Sequence, residues 1–237
     1  NLPEVDEFVK SAQMLSKPKV LPDIYYIILD GYGRKDTLKE LYNFDNASFT
    51  NFLQEKGFFV ASQSISNYCQ TNLSFSSSLN GCYLNGLTEL MGGSNSLSAS
   101  VSLIENAAIF RILRFHGYEI IAFPSQYNIT DIKTEDRHFP KVRSGNNFYY
   151  MIAESTFLAA MKLPFVNLSA EQVEGHRNHV KGIFAGIPRL KLSDDPAFVF
   201  AHILCPHPPF VFGAKGERDV FGPVNGKDGS HLGLAVA

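Results

Sequence analysis

Ile24-Tyr25-Tyr26-Ile27-Ile28-Leu29, ended by Asp30-Gly31-Tyr32-Gly33, is the stretch on which the fold reading turns. Six apolar residues, mostly β-branched or aromatic, are too few for a helix. They suit a strand buried on both faces, as in the middle of a parallel sheet. Ala197–Ile203 has the same continuous apolar character near the other end of the chain. Both are expected as interior strands.

Working outward, residues 1–22 contain Pro3, Pro18 and Pro22 and read as a lead-in or linker with a short helix over 5–15. Phe49, Phe52 and Leu53 recur at helical spacing and place a helix over 47–56, closed by Gly57. Phe58–Ser64 is a second strand candidate, and a short helix starts near Thr71, with Leu73, Phe75 and Leu79 as its apolar positions. The Gly- and Ser-rich residues 92–100 read as a loop, Val101–Phe115 as one helix stopping at His116-Gly117, and Tyr118–Phe123 as a strand. Residues 124–147 are polar and aperiodic and read as a long surface excursion. Helices are expected at about 148–162 and 170–186. The alternation argues an α/β fold with a largely parallel central sheet and helices on both faces. Its body spans residues 23–213, and the Gly-rich residues 214–237 are a tail or the start of a missing half. No helix or strand closes that tail, so the domain is expected to be incomplete at its C-terminus.

Composition removes several function classes. Twenty-one basic against 23 acidic side chains give a formal charge of -2 without a long run of either sign, which excludes a nucleic-acid binder working by bulk charge. No stretch approaches the ~20 apolar residues of a membrane span. Three cysteines, an odd number, exclude a disulfide-stapled scaffold.

Candidate chemistry lies where strands end, because open α/β sheets bind ligands outside the carboxyl ends of their strands. Asp30 holds such a position and is a hard oxygen ligand for a divalent cation, although a carboxylate there also serves simply to cap a turn. Gly31-x-Gly33 lacks the third glycine of a dinucleotide fingerprint, since position 36 is Asp. Asn67-Tyr68-Cys69-Gln70-Thr71 precedes a helix. A hydroxyl at a helix N-terminus faces unpaired N–H groups that stabilise an alkoxide or a phosphate ester, while the commoner use of such a threonine is as an N-cap. His202 and His207 flank the end of the last strand in Ala201-His202-Ile203-Leu204-Cys205-Pro206-His207-Pro208-Pro209-Phe210. Either is able to meet a phosphoryl oxygen or to be structural. His176 and His179, at i,i+3 spacing, read as a solvated helix face.

Taken together, Pro22–Arg34, Asn67–Asn80 and Pro206–Phe210 resemble the sulfatase-like branch of the alkaline phosphatase superfamily, over roughly residues 20–213. The likeness is to bacterial membrane-anchored sulfatase-like proteins, and more distantly to lipoteichoic acid synthases and phosphoethanolamine transferases. It implies a metal-dependent hydrolase or transferase acting on phosphate, less readily sulfate, esters that are small or linked to a lipid or glycan. Asp30 and Thr71 become metal ligands, Thr71 the nucleophile, and His207, Asn72 and His202 substrate-binding residues. The cofactor is a divalent cation such as Mn, Mg, Ca or Zn. The parent protein is expected on the extracytoplasmic side of a bacterial membrane, with any anchor outside this chain. Neither Cys69 nor Cys82 sits in the C-x-P-S-R setting of a true sulfatase, which favours the hydroxyl nucleophile and a phosphoryl substrate. The family's Asp-His-Gly segment is missing, because no Asp-His pair occurs in the 237 residues. The chain is therefore expected to be the N-terminal part of such a domain. A non-catalytic binding or structural domain of the same fold is the alternative.

Overall fold

The last strand of the sheet is buried at all seven positions, Ala197 to Ile203, and the core is organised around it. A computed structural model of the chain describes residues 2–87, 97–139, 168–207, 210–213 and 216–217. Over these residues the elements follow in the order α1 (Pro3–Gln13), β1 (Ile24–Leu29), α2 (Lys35–Tyr42), α3 (Ala47–Glu55), α4 (Thr71–Asn80), α5 (Ser98–Glu105), α6 (Ala108–Phe115), β2 (Glu119–Ala122), β3 (Arg137–His138), α7 (Leu168–Gly186) and β4 (Ala197–Ile203). The fold is α/β. The expected helix at 148–162, most of the Gly-rich tail and residues 92–96 lie outside the described residues. No helix among the described residues is long and apolar enough to cross a membrane.

The chain divides into two compact units, one of Asn1–Ile28, Ile65–Pro140 and Arg189–Ile203, the other of Leu29–Ser64, Lys141–Pro188 and Leu204–Ala237. The first unit contains the sheet as far as Ile28, in the order β1-β4-β2-β3. β2 runs parallel to both β4 and β3, with Glu119 opposite Ala197 and Ile121 opposite Arg137. The expectation for β4 holds, and that for β1 is corrected. Among the described residues β1 lies at the edge of the sheet, with alternating exposure, Tyr25 at 46% and Ile27 at 43%, while Ile24, Tyr26 and Ile28 pack on the core. An apolar run does not by itself distinguish one buried face from two, because strand side chains alternate.

One face of β4 carries Phe198 and Phe200. Tyr26 of β1, Phe75 of α4 and Phe110 of α6 surround these rings at centroid distances of 5.9–6.3 Å. A second cluster is built from α1, whose Leu2, Val5 and Val9 are each 1% exposed and pack with Leu84, Leu87, Leu103 and Ala108. The lead-in thus contributes to the core, and Asp6 pairs with Arg111 at 2.7 Å.

Three further expectations change. The helix expected over Val101–Phe115 is two helices, broken at Asn106 and Ala107. Asn80 explains the break: its buried amide donates to the Leu103 carbonyl and accepts from the Ala108 N–H, both at 2.9 Å, so one side chain serves the end of α5 and the start of α6. Phe58–Ser64 is not a strand, and Phe58 and Phe59 are exposed. The excursion after β2 is not superficial: Ser125, Ile129, Thr130, Asp131 and Ile132 are buried, and β3 pairs back onto β2. Helix α2, which the sequence reading passed over, ends at Asn43 in the left-handed region, φ 50°.

Two stability outcomes follow from this packing. Phe200→Ala is expected to cost about 3–5 kcal/mol in urea unfolding, whereas Phe59→Ala, on a ring that is 93% exposed, should stay within about 0.5 kcal/mol. Asn80→Ala strands a buried carbonyl and a buried N–H, and the same measurement should show a loss of about 2–4 kcal/mol. A loss no larger than that at Phe59 would remove Asn80 from its bridging role.

Candidate functional site

The candidate residues divide between the two units. Asp30 and His207 belong to the second, and Thr71, Asn72 and His202 to the first.

In the second unit, the turn after β1 is closed by Tyr32 N–H donating to the Leu29 carbonyl at 3.2 Å. Gly31 lies at φ +81°, and a Cβ there would stand 3.4 Å from the backbone N and Cα of His207. The turn that carries Asp30 is thereby seated on the segment that follows β4. Only a residue tolerant of the left-handed region fits this turn without strain. Asp30 is half-buried and His207 exposed. Further along, Arg34 grips Asp36 through two hydrogen bonds of 2.6 and 2.7 Å, and Asp36 also accepts from the Thr37 N–H. The guanidinium holds the Asp36 carboxyl down at about 2. Asp36, standing where a third glycine would complete a dinucleotide fingerprint, thus serves the first turn of α2.

His176 and His179 correct the sequence reading. Both are buried, at 7% and 6% exposure, and do not form a solvated face. A ring N–H of His176 donates to the Leu204 carbonyl, which ties α7 to the segment leading to His207. Burial pushes the His176 pKa below the usual imidazole value, and the charges of His179 and His207 push the same way. A signal for this was present in the sequence: Val173, His176, Val180 and Ile183 share a helical stripe, and a histidine in an apolar stripe faces inward.

In the first unit, Thr71 opens α4. The N-cap is Gln70, at φ -91° and ψ 134°, and no side chain caps this end. Thr71 is therefore the first helical residue and not the N-cap, and it is half-buried. Asn72 is 6% exposed and its amide donates to Ser100 Oγ at 3.2 Å. His202 is 1% exposed, its Nδ1 lies 2.7 Å from Thr130 Oγ1, and its ring packs on Phe75 at 4.7 Å. Two of the three residues assigned to substrate contact, Asn72 and His202, are thus engaged in packing around α4, because the inward faces of α4 and β4 take them to the interior. Thr130, which the sequence reading left in a surface loop, is the partner that makes a buried His202 acceptable.

A pocket of about 550 Å³ lies within the second unit, beside Leu29 and the Cys205-Pro206 pair. Burial raises the Cys205 pKa, so its thiol is protonated. Among the described residues no three His, Cys, Asp or Glu side chains are grouped to hold a metal ion. No family model, curated protein or solved structure matches the chain.

The His176 environment sets a pH dependence. Unfolded histidine binds its proton near 6.5, while the buried ring binds it at lower pH. Between the two values the unfolded state holds more protons, so stability is full above about 6.5 and falls as pH drops through the folded-state pKa. His176→Asn keeps an N–H donor and removes the titration, so its urea midpoint should fall less than wild type between pH 7 and pH 5. Parallel profiles would show that His176 does not titrate differently in the two states.

Proposed function

We propose that the chain carries residues of a metal-dependent phosphoryl-transfer or hydrolase site, alkaline phosphatase-like in fold, with Thr71 as nucleophile and Asp30 as a cation ligand. One observation carries the reading. Three segments occur in the order and spacing of the sulfatase-like pattern: Asp-Gly after β1, a hydroxyl residue opening α4, and Pro-His-Pro-Pro-Phe after β4. The local structure is in keeping with it. Asp30 directly follows a strand, Thr71 is the first residue of its helix, and the His207 backbone adjoins the Gly31 turn.

The chemistry has simple requirements. A cation lowers the pKa of a bound hydroxyl, so no neighbouring base is needed. The first N–H groups of a helix are unused by the helix itself, and they favour negative charge on a group beside them. His207 is exposed and able to donate to a phosphoryl oxygen. Asn72 and His202 act as positioning residues here, by fixing α4. A bound cation would supply Lewis acidity, with Asp30 and Thr71 among the residues that would hold it. The substrate class is a phosphate ester, with sulfate esters less favoured because neither Cys69 nor Cys82 has the sequence context for oxidation to formylglycine. The parent protein is placed outside the cytoplasm by the same resemblance.

The second reading is a binding or structural domain that keeps the fold without turnover.

Thr71 separates the two. In the complete gene product, supplied with Mn²⁺ or Zn²⁺ and phosphate mono- and diesters, Thr71→Ala should lower kcat by at least about a thousandfold. Its unfolding free energy should change by no more than about 0.5 kcal/mol, since no cap bond depends on the side chain. Thr71→Ser should retain measurable turnover. The 237-residue chain alone should show negligible turnover and weak cation affinity. Wild-type rates in the alanine variant overturn the nucleophile assignment, and absence of turnover in every form supports the binding-domain reading.

A further inference from the structure

We propose that the pocket of the second unit is a binding site for a single-chain anionic amphiphile, of which a long-chain fatty acid is the simplest example. The proposal does not rest on the phosphoryl-transfer reading, since it needs neither Thr71 nor a cation, although Leu29 and Pro206 of the lining adjoin Asp30 and His207 in the chain.

Its walls are aromatic. Tyr32, Phe49, Phe184 and Phe212 face the cavity, and Cys205 and Pro206 are among its other lining residues. Tyr32 and Phe49 meet edge to face at 5.9 Å, and the Tyr32 hydroxyl accepts from Asn46 Nδ2 at 3.1 Å. That hydroxyl is thus partly occupied, and the Cys205 thiol is an uncharged, weak donor. A sugar or nucleobase would bring many polar groups into a cavity that offers few partners for them, and unmatched polar groups are costly to bury. A hydrocarbon chain brings none. The volume of about 550 Å³ lies in the range that encloses small ligands.

Charge selects the head group. Four aromatic rings alone would suit a quaternary ammonium ion. Lys181, however, is the one charged side chain among the described lining residues, and it is exposed at the cavity. One helical turn before it, the Arg177 guanidinium lies over the Phe212 ring at 5.2 Å and donates to the Gly216 carbonyl. An anionic head finds a lysine in the lining itself, while the acidic Asp30 and Glu217 adjoin lining residues in sequence only. Carboxylate and phosphate heads share that chemistry.

The test uses the purified chain and displacement of a fluorescent fatty-acid analogue. The chain contains no tryptophan, so intrinsic emission interferes little. Saturated fatty acids, alkyl phosphates, alkanols and alkyltrimethylammonium ions of matched lengths form the competitor series. Affinity should rise about fourfold per methylene, then level off once the cavity is filled. Anionic competitors should bind about two- to fivefold more tightly than alkanols of equal length, and ammonium competitors least. The ratio of carboxylate to phosphate binding identifies which head group is preferred. Lys181→Glu should abolish the anion preference while leaving alkanol affinity unchanged. Ala185→Trp, at an exposed lining position on α7, should fill the cavity and suppress every competitor, with an unchanged circular dichroism spectrum showing that the fold is intact. Affinity independent of chain length, or indifferent to both substitutions, overturns the proposal. So does concentration-dependent dimerisation that Ala185→Trp removes, since the occupant would then be a second copy of the chain.

Discussion

Phe198 and Phe200 project from the same side of β4, and the first unit is arranged around that pair of rings. Tyr26 brings β1 to them, Phe75 brings α4 and Phe110 brings α6. Edge-to-face and tilted aromatic contacts of this kind add roughly 0.5–1.5 kcal/mol each beyond the area they bury. Their geometric consequence matters more. Strand side chains alternate, so His202 falls on the same side as Phe198 and Phe200 and meets Phe75 from the next position along. Phe75 lies one helical turn after Thr71, so the start of α4 is located by the rings of β4 and not by its own weak cap.

Within that apolar frame, a few polar side chains do at a distance what local caps usually do. Asn80 completes hydrogen bonds at the end of α5 and the start of α6. Asp23 accepts from the Ala197 N–H at the start of β4, and Asp136 accepts from the Ile120 N–H in β2 while paired with Arg114. Each bond joins residues at least 16 positions apart. A buried N–H or carbonyl must find a partner somewhere, and these partners are supplied by the tertiary fold.

This explains which parts of the architecture were legible in the sequence. β4, β2, α3 and the start of α4 were readable because their signals are local: an apolar run, a helical spacing, a closing glycine. The break between α5 and α6 was not, since residues 101–115 have an unbroken helical period and the residue that divides them is Asn80. The edge position of β1 was not legible either, because Tyr25 and Ile27 are as apolar as the neighbours that pack inward. Residues 124–132 look like a surface loop from composition, yet Thr130 and Asp131 are polar in order to satisfy His202 and the Ser125 N–H inside the fold. Of the candidate site, Asp30 follows β1, Thr71 opens α4 and His207 follows β4, whereas Asn72 and His202 are buried in packing around α4.

The same contrast bears on why a threonine stands at position 71. As the first helical residue of α4 it contributes nothing as a cap, and as a β-branched residue it has no advantage in helix propensity over alanine. Ser74 is the first residue whose N–H reaches back to Gln70, so the preceding amides of the helix start are unused by the helix itself. Negative charge near a helix start is favoured by those amides, and a hydroxyl is the group that valine or alanine at this position would lack. Stability therefore gives little reason for the hydroxyl at position 71, and under the proposed phosphoryl-transfer reading chemistry at that oxygen would supply one.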